Sequence, residues 1–248
     1  MADFFISQLI RSRHPGAFEL TATGFQSFCE ILLKAKDFED VSQWPEQWLS
    51  VVLADLTDST ILEVTTSTGW LPWKYLQHAT LCATRRSAGL PFFVQALLVV
   101  LHKTDRMGDL LNRVVNALLV EVNRGAEATT VPSACKEQAD LTAAERRLHS
   151  MNVLKTLVRD ATIGPLMTIH LESILICAFQ GLDSNYWMIR NAGLMLFSAM
   201  MERIFGVNRT RDCESKKNRM AASVFFTKFP GLRGFLLKAL EESINELK

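Results

Sequence analysis

The chain has 248 residues, of which 48% are hydrophobic and 21% charged, with a formal net charge of +1. It is long enough to bury a real core and too apolar to stay disordered. Near-zero charge excludes a global field for nucleic acid or membrane, so any such contact has to come from a local patch.

Helical periodicity runs through the chain from the start. Phe4, Phe5 and Leu9 fit a short first helix that stops at His14-Pro15-Gly16. From Ala17 to Lys34, Phe18, Ala22, Phe25, Phe28, Cys29 and Leu32 recur at three- and four-residue steps and form one apolar stripe. Pro45 suits a helix start, and Trp44, Trp48, Val51, Val52 and Leu56 continue the pattern to Thr57. Thr65 to Gly69 reads as a loop, and Pro72 opens a helix toward Thr84. Pro91 opens another, carrying Phe92, Val94, Leu97, Leu98 and Leu101, and Asp105 to Arg124 forms the next. Ala126 to Asp140 lacks periodicity and reads as a loop insertion (about 125–141). Thr142 and Glu145 have the spacing of a capping box that starts a helix to Asp160. Pro165 starts one ending near Gly181, Asn185 to Phe205 is helical up to Gly206, and Val207 to Asn218 is a polar, basic loop. A short helix around Val224 and a last one over 231–247 close the chain.

The expected fold is therefore all-α: about ten helices stacked as antiparallel pairs in an armadillo/HEAT-like superhelix, with 1–248 as one helical-repeat unit. Sequence shows no strict period, so the repeat reading rests on helix lengths. Five scattered cysteines (Cys29, Cys82, Cys135, Cys177 and Cys213) with no C-x-x-C pair suit reduced thiols of a cytosolic or nuclear protein. No signal peptide is expected, because Arg11, Arg13 and His14 follow the first apolar turn instead of preceding it. Leu90 to Leu101, the richest apolar run, falls short of the roughly 20 residues that span a bilayer. A soluble chain without membrane contact is expected.

Catalytic signatures are absent from the sequence. There is no G-x-G-x-x-G after a strand, no phosphate-binding G-x-x-x-x-G-K, no H-E-x-x-H and no G-x-S-x-G. His14, His78, His102, His149 and His170 lack metal-ligand spacing. Acidic pairs such as Glu241-Glu242 lie in polar surface stretches. No catalysis, cofactor or metal is expected of this chain.

Four segments stand out against that background. Thr84-Arg85-Arg86-Ser87-Ala88-Gly89-Leu90-Pro91 sets two arginines between apolar helices. Guanidinium forks with Ser87 and the amides of a helix start can hold an anion; equally, the arginines can tie the corner to nearby acids while Gly89 permits close packing. Lys155 and Arg159, one turn apart, either complement a helix end or face a ligand. In Trp187 to Ser198, apolar nearly all round, Arg190 is expected to be partly desolvated and Trp187 to join the core. Arg190 is then a structural pin or part of a binding wall. Between Arg203 and Arg219, six basic residues face only Asp212 and Glu214, a loop suited to phosphates or simply solvated.

Several of these runs occur together and in order. They are Arg-His-Pro-Gly-Ala-Phe-Glu at 13–19, Thr-Arg-Arg-Ser-Ala-Gly-Leu-Pro-Phe at 84–92, His149-x-Met-Asn-Val-Leu-Lys155 with Arg159-Asp160, the run 187–199, and Arg203-Ile-Phe-Gly206 followed by Phe225-Phe226-x-x-Phe229-Pro230. The set resembles the central domain of the thyroid adenoma-associated protein family and its fungal counterparts, over nearly the whole chain. That resemblance implies a large helical scaffold serving as the regulatory subunit of a separate ribose 2′-O-methyltransferase. The pair would modify the nucleotide at the 5′ edge of the tRNA anticodon loop (position 32), in the cytoplasm. S-adenosylmethionine would sit on the partner enzyme, and the scaffold would bind and place tRNA. The Arg-Arg-Ser-Ala-Gly-Leu-Pro run is the signature of that family, which makes Arg85, Arg86, Ser87, Gly89 and Pro91 first choices for tRNA or partner binding, with Lys155, Arg159 and Arg190 behind them. Family members are several times longer, so the chain reads as a fragment or short isoform. The rival expectation is a HEAT-type protein-interaction scaffold that never touches RNA.

Overall fold

A computed structural model of the protein describes residues 2–11, 15–35, 39–57, 89–124, 133–206 and 218–246. Every regular element among them is helical. In chain order they are α1 (Ala2–Arg11), α2 (Pro15–Lys34), α3 (Glu39–Ser42), α4 (Trp44–Thr57), α5 (Leu90–Lys103), α6 (Leu110–Arg124), α7 (Ser133–Arg159), a 3-10 helix (Gly164–His170), α8 (Leu171–Leu182), α9 (Trp187–Phe205), α10 (Ala222–Lys228) and α11 (Pro230–Glu246). The expected loop at 65–69, the helix from Pro72 and most of the basic loop after Gly206 lie outside the described residues.

The apolar stripes do what their spacing dictates. On α2, Phe18, Ala22, Phe25, Cys29 and Leu32 are buried, whereas Leu20, Thr23, Ser27 and Ile31 face outward. Phe25 stacks on Phe93 of α5 and on Trp48 of α4, with centroids 5.1 and 5.9 Å apart, which ties the first three long helices into one core. Helix α5 is buried over most of its circumference from Leu90 to Leu101, as suits a helix with neighbours on all sides. Helix α7 goes further: every residue from Arg147 to Lys155 is buried. These two helices are the spine of the molecule.

Three boundaries differ from expectation. Helix α6 starts at Leu110 and not Asp105, because Asp105 (φ 58°) and Gly108 (φ 45°) take left-handed backbone and the Arg106 amide turns back to the Leu101 carbonyl at 2.8 Å. Helix α7 starts at Ser133, so the second half of the expected loop is helical. Thr142 and Glu145 lie inside α7, where the amides a capping box would take are already used by the helix. The Pro165 segment begins as a 3-10 helix and becomes α-helical only at Leu171.

Gly164–Leu182 is apolar enough over 19 residues to cross a bilayer by length and composition. Six of its residues, Met167, Leu171, Ile174, Leu175, Cys177 and Ala178, are buried in the fold, whereas Leu166 and Ile169 are exposed. Cys29 and Cys177 are free buried thiols. Burial pushes the Cys29 thiol well up and that of Cys177 to about 11, as suits inert core groups.

Candidate interaction surface

Arg85, Arg86 and Ser87 lie outside the described residues; the helix they lead into does not. Gly89 precedes α5 so closely against α1 that a Cβ added there would overlap the backbone carbonyl of Leu9. Only glycine lets these two backbones meet. Leu90 and Pro91 are buried, Pro91 sits in the first turn where its missing N–H costs nothing, and the Phe93 amide bonds the Gly89 carbonyl at 2.9 Å.

One turn into α5, Gln95 interrupts an otherwise apolar helix. Its side-chain amide donates to Oδ2 of Asp160, just past the end of α7, at 2.6 Å. The other oxygen of Asp160 accepts the amides of Thr162 and Ile163, each at 2.7 Å, and so holds the turn that leads into the 3-10 helix. From α9, Arg203 closes the same corner: its Nε donates to the Val158 carbonyl at 2.8 Å and its Nη2 to that of Asp160 at 2.6 Å. A cation on the last carbonyls of a helix also complements its dipole. Beside it, Arg159 forms a two-pronged pair with Glu202 at 2.7 to 3.1 Å, with both side chains near half exposure. The structure therefore joins α5, about one turn past its Gly89–Pro91 start, to Asp160 and Arg203 through Gln95, with Arg159 beside them.

The other two basic candidates are elsewhere. Lys155 is buried, at 9% exposure, inside the fully covered stretch of α7. Arg190 and Trp187 depart from expectation: neither is drawn into the core. Trp187 is 67% exposed, and Arg190 is exposed with its Nη1 donating to the Ser184 and Asn185 carbonyls at 2.7 and 3.0 Å. The burying face of α9 is carried by Ile189, Ala192, Leu196, Ala199 and Met200, which leaves Trp187 and Arg190 on the outside. At 1.5 Å per residue, Arg190 lies roughly 20 Å along α9 from Arg203. It does not belong to the corner.

A second polar cluster links α6 to α7. Glu121, 2% exposed, accepts Arg146 Nε at 3.1 Å and pairs with Arg124 at 3.3 Å. Arg147 is 7% exposed near the Cys177 thiol, and burial lowers its pKa. Cys177 in turn donates to Asn123 Oδ1 at 3.3 Å. Among the described residues no three His, Cys, Asp or Glu side chains come together to hold a metal ion.

Reading residues one at a time missed Gln95, Glu202 and Arg203 as parts of this corner. A signal existed for Gln95, the one amide in the apolar run from Leu90 to Leu101. For Glu202 none did, since a lone exposed acid is ordinary.

Comparison with known proteins completes the description. The family model described as THADA/TRM732, DUF2428 matches residues 1–188, and that described as Trm732, C-terminal TPR repeats, matches 190–248. The chain is similar to the chicken (Gallus gallus) "tRNA (32-2'-O)-methyltransferase regulator THADA", 37% identical over 247 residues, covering 100% of this chain and 11% of that protein. It is 36% identical over 245 residues to the human protein of the same name, covering 99% of this chain and 11% of that one. The fission yeast (Schizosaccharomyces pombe) "tRNA (32-2'-O)-methyltransferase regulator trm732" is 27% identical over 247 residues, 99% of this chain and 14% of that protein. The chain thus spans about a tenth of the length of the relatives it matches. No solved structure matches it.

Proposed function

The chain belongs to the THADA/TRM732 DUF2428 family, and from that premise we propose that it is a non-catalytic part of a regulatory scaffold for a tRNA ribose 2′-O-methyltransferase. The observation that carries this reading is end-to-end similarity to proteins named as regulators of the tRNA (32-2'-O)-methyltransferase. The all-helical fold and the lack of nucleotide-binding motifs support it. In this reading S-adenosylmethionine belongs to the partner enzyme, and the complex works in the cytoplasm on the nucleotide at the 5′ edge of the anticodon loop.

The contribution of such a scaffold is geometry. Holding the target ribose beside the methyl donor removes much of the entropic part of the barrier, and no bond-making group is required of the scaffold. Arg85 and Arg86 are the proposed contacts to tRNA or partner, on the segment that Gly89 and Pro91 join to α5. The Gln95–Asp160 bond and the Arg203 clamp stiffen the base on which that segment stands. Arg159 lies at the same corner, though Glu202 occupies its fork, so tRNA would have to displace a carboxylate to reach it. Lys155 supports α7 from inside, and Arg190 belongs to a different face.

Replacing Arg85 and Arg86 with alanine in the full-length protein is expected to abolish methylation while melting temperature and helicity stay close to wild type. A double variant that methylates normally overturns the assignment. Phosphate contacts also demand that tRNA affinity fall steeply with salt. Absence of tRNA binding at low salt favours a scaffold that binds protein alone.

A further inference from the structure

The two family matches meet at 188–190, within the first turn of α9. Two regions that meet in this way are joined either by a hinge or by a shared core, and relative motion is the rule unless the contact is large and apolar. The residues around α9 separate the two cases. The boundary falls inside a continuous helix, where bending would break backbone hydrogen bonds. The turn just before it is tied as well. The Ser184 amide donates to the Gly181 carbonyl and the Tyr186 amide to Ser184 Oγ, each at 3.3 Å. Arg190 Nη1 reaches back to the Ser184 and Asn185 carbonyls at 2.7 and 3.0 Å. Arg190 therefore pins the α8–α9 turn: a residue of the second match holds residues of the first.

Further along, the second match is built onto the first. Gly193 lies so close to α8 that an added Cβ would stand 2.9 Å from the Ala178 carbonyl and 3.2 Å from the Gly181 Cα. Backbone meets backbone there, and close-packed surfaces of this kind do not slide freely. Leu196, Ala199 and Met200 are buried, and the Phe197 ring lies 5.2 Å from that of Phe179 on α8. At the far end of α9, Glu202 and Arg203 hold Arg159 and the carbonyls of Val158 and Asp160. Helix α11 adds a further anchor on α8: buried Leu232 donates its amide to Glu172 at 3.0 Å, and Phe235 lies 6.2 Å from Phe179. We infer that α9 welds the two family regions into one cooperative body, with a rigid joint where the family models divide and no hinge. This goes beyond the proposed function and does not depend on it. The mechanical consequence is that whatever one region binds is held in fixed register with whatever the other binds.

The experiment uses the whole chain. All five tryptophans lie at or before residue 187, so tryptophan fluorescence reports on the first region while a substitution sits in the second. Arg203→Ala is expected to lower the urea midpoint read by tryptophan fluorescence and that read by circular dichroism together, in a single transition. In native-state hydrogen exchange, wild-type amides of α9 from Leu194 to Met200 should exchange as slowly as those of α8 from Ile174 to Ala178, within about tenfold. Gly193→Leu, which forces α9 off α8, should speed exchange about tenfold or more in α7 and α8 as well as in α9. If that variant unfolds the whole chain, the first region falls with the second, which a hinge would prevent. A first region that keeps wild-type exchange rates in Gly193→Leu refutes the joint. So does fast exchange of α9 in the wild type, or an Arg203→Ala variant that unfolds in two steps with the fluorescence step unmoved.

Discussion

The bond between Gln95 and Asp160 is the most exposed commitment of the corner, because it joins two helices through one carboxylate. Asp160 accepts three donors, at 2.6, 2.7 and 2.7 Å, two of them backbone amides of the turn after α7. Gln95→Ala removes one charge-assisted bond at a half-buried site, a cost of about 1–2 kcal/mol. Asp160→Ala removes all three, including a cap-like contact, and should cost about 2–4 kcal/mol. Because the Gln95 bond is lost in either single variant, the double variant should fall short of the sum by about 1 kcal/mol. For a chain of this size each kcal/mol moves the melting temperature by about 2–4 °C. Urea unfolding followed by circular dichroism, for wild type, both singles and the double, measures the coupling directly. If the effects add to within about 0.3 kcal/mol, the two side chains do not interact and the corner is not built this way.

Two other perturbations test the packing around the same helices. Gly89→Ala places a methyl into the Leu9 carbonyl, and since backbone meets backbone nothing flexible can yield; a loss of about 2–4 kcal/mol in urea unfolding is expected, and a neutral result would show that α1 does not lie where the structure puts it. His170 donates its ring N–H to Asn112 Oδ1 at 2.9 Å, an orientation set by the bond from Asn112 Nδ2 to Asp109. Burial lowers the His170 pKa below the usual histidine value, so the unfolded chain takes up the proton first as pH falls. Its contribution is complete above pH 6.5 and is lost as the pH drops through the folded-state value. Melting temperatures from pH 8 to pH 5 should therefore fall more steeply for wild type than for His170→Gln, and parallel curves would remove His170 from the account.

Much of the helical pattern was legible residue by residue. The α2 stripe, the prolines at the starts of α4 and α5, and the glycine that ends α9 each act through near neighbours in the chain, where a 3.6-residue period or a fixed φ is decisive. The helix start at Gly89 to Pro91 was also visible, whereas the residues alone left open whether Arg85 and Arg86 hold an anion or tie the corner to nearby acids. Other features depended on how far a helix extends. Thr142 and Glu145 have the spacing of a cap, but a cap needs free amides, and α7 had begun at Ser133. The remainder belonged to tertiary structure alone. Trp187 looks like a core residue in a helix apolar nearly all round, yet which side of α9 is covered was settled by where α7, α8 and α11 lie. Gln95, Asp160 and Arg203 come from α5, the turn after α7 and α9, which no local signal pairs. The physical reason is one of range: hydrophobic periodicity says that a face will be buried, but only the packed arrangement of all the helices decides which neighbour buries it and which face stays bare.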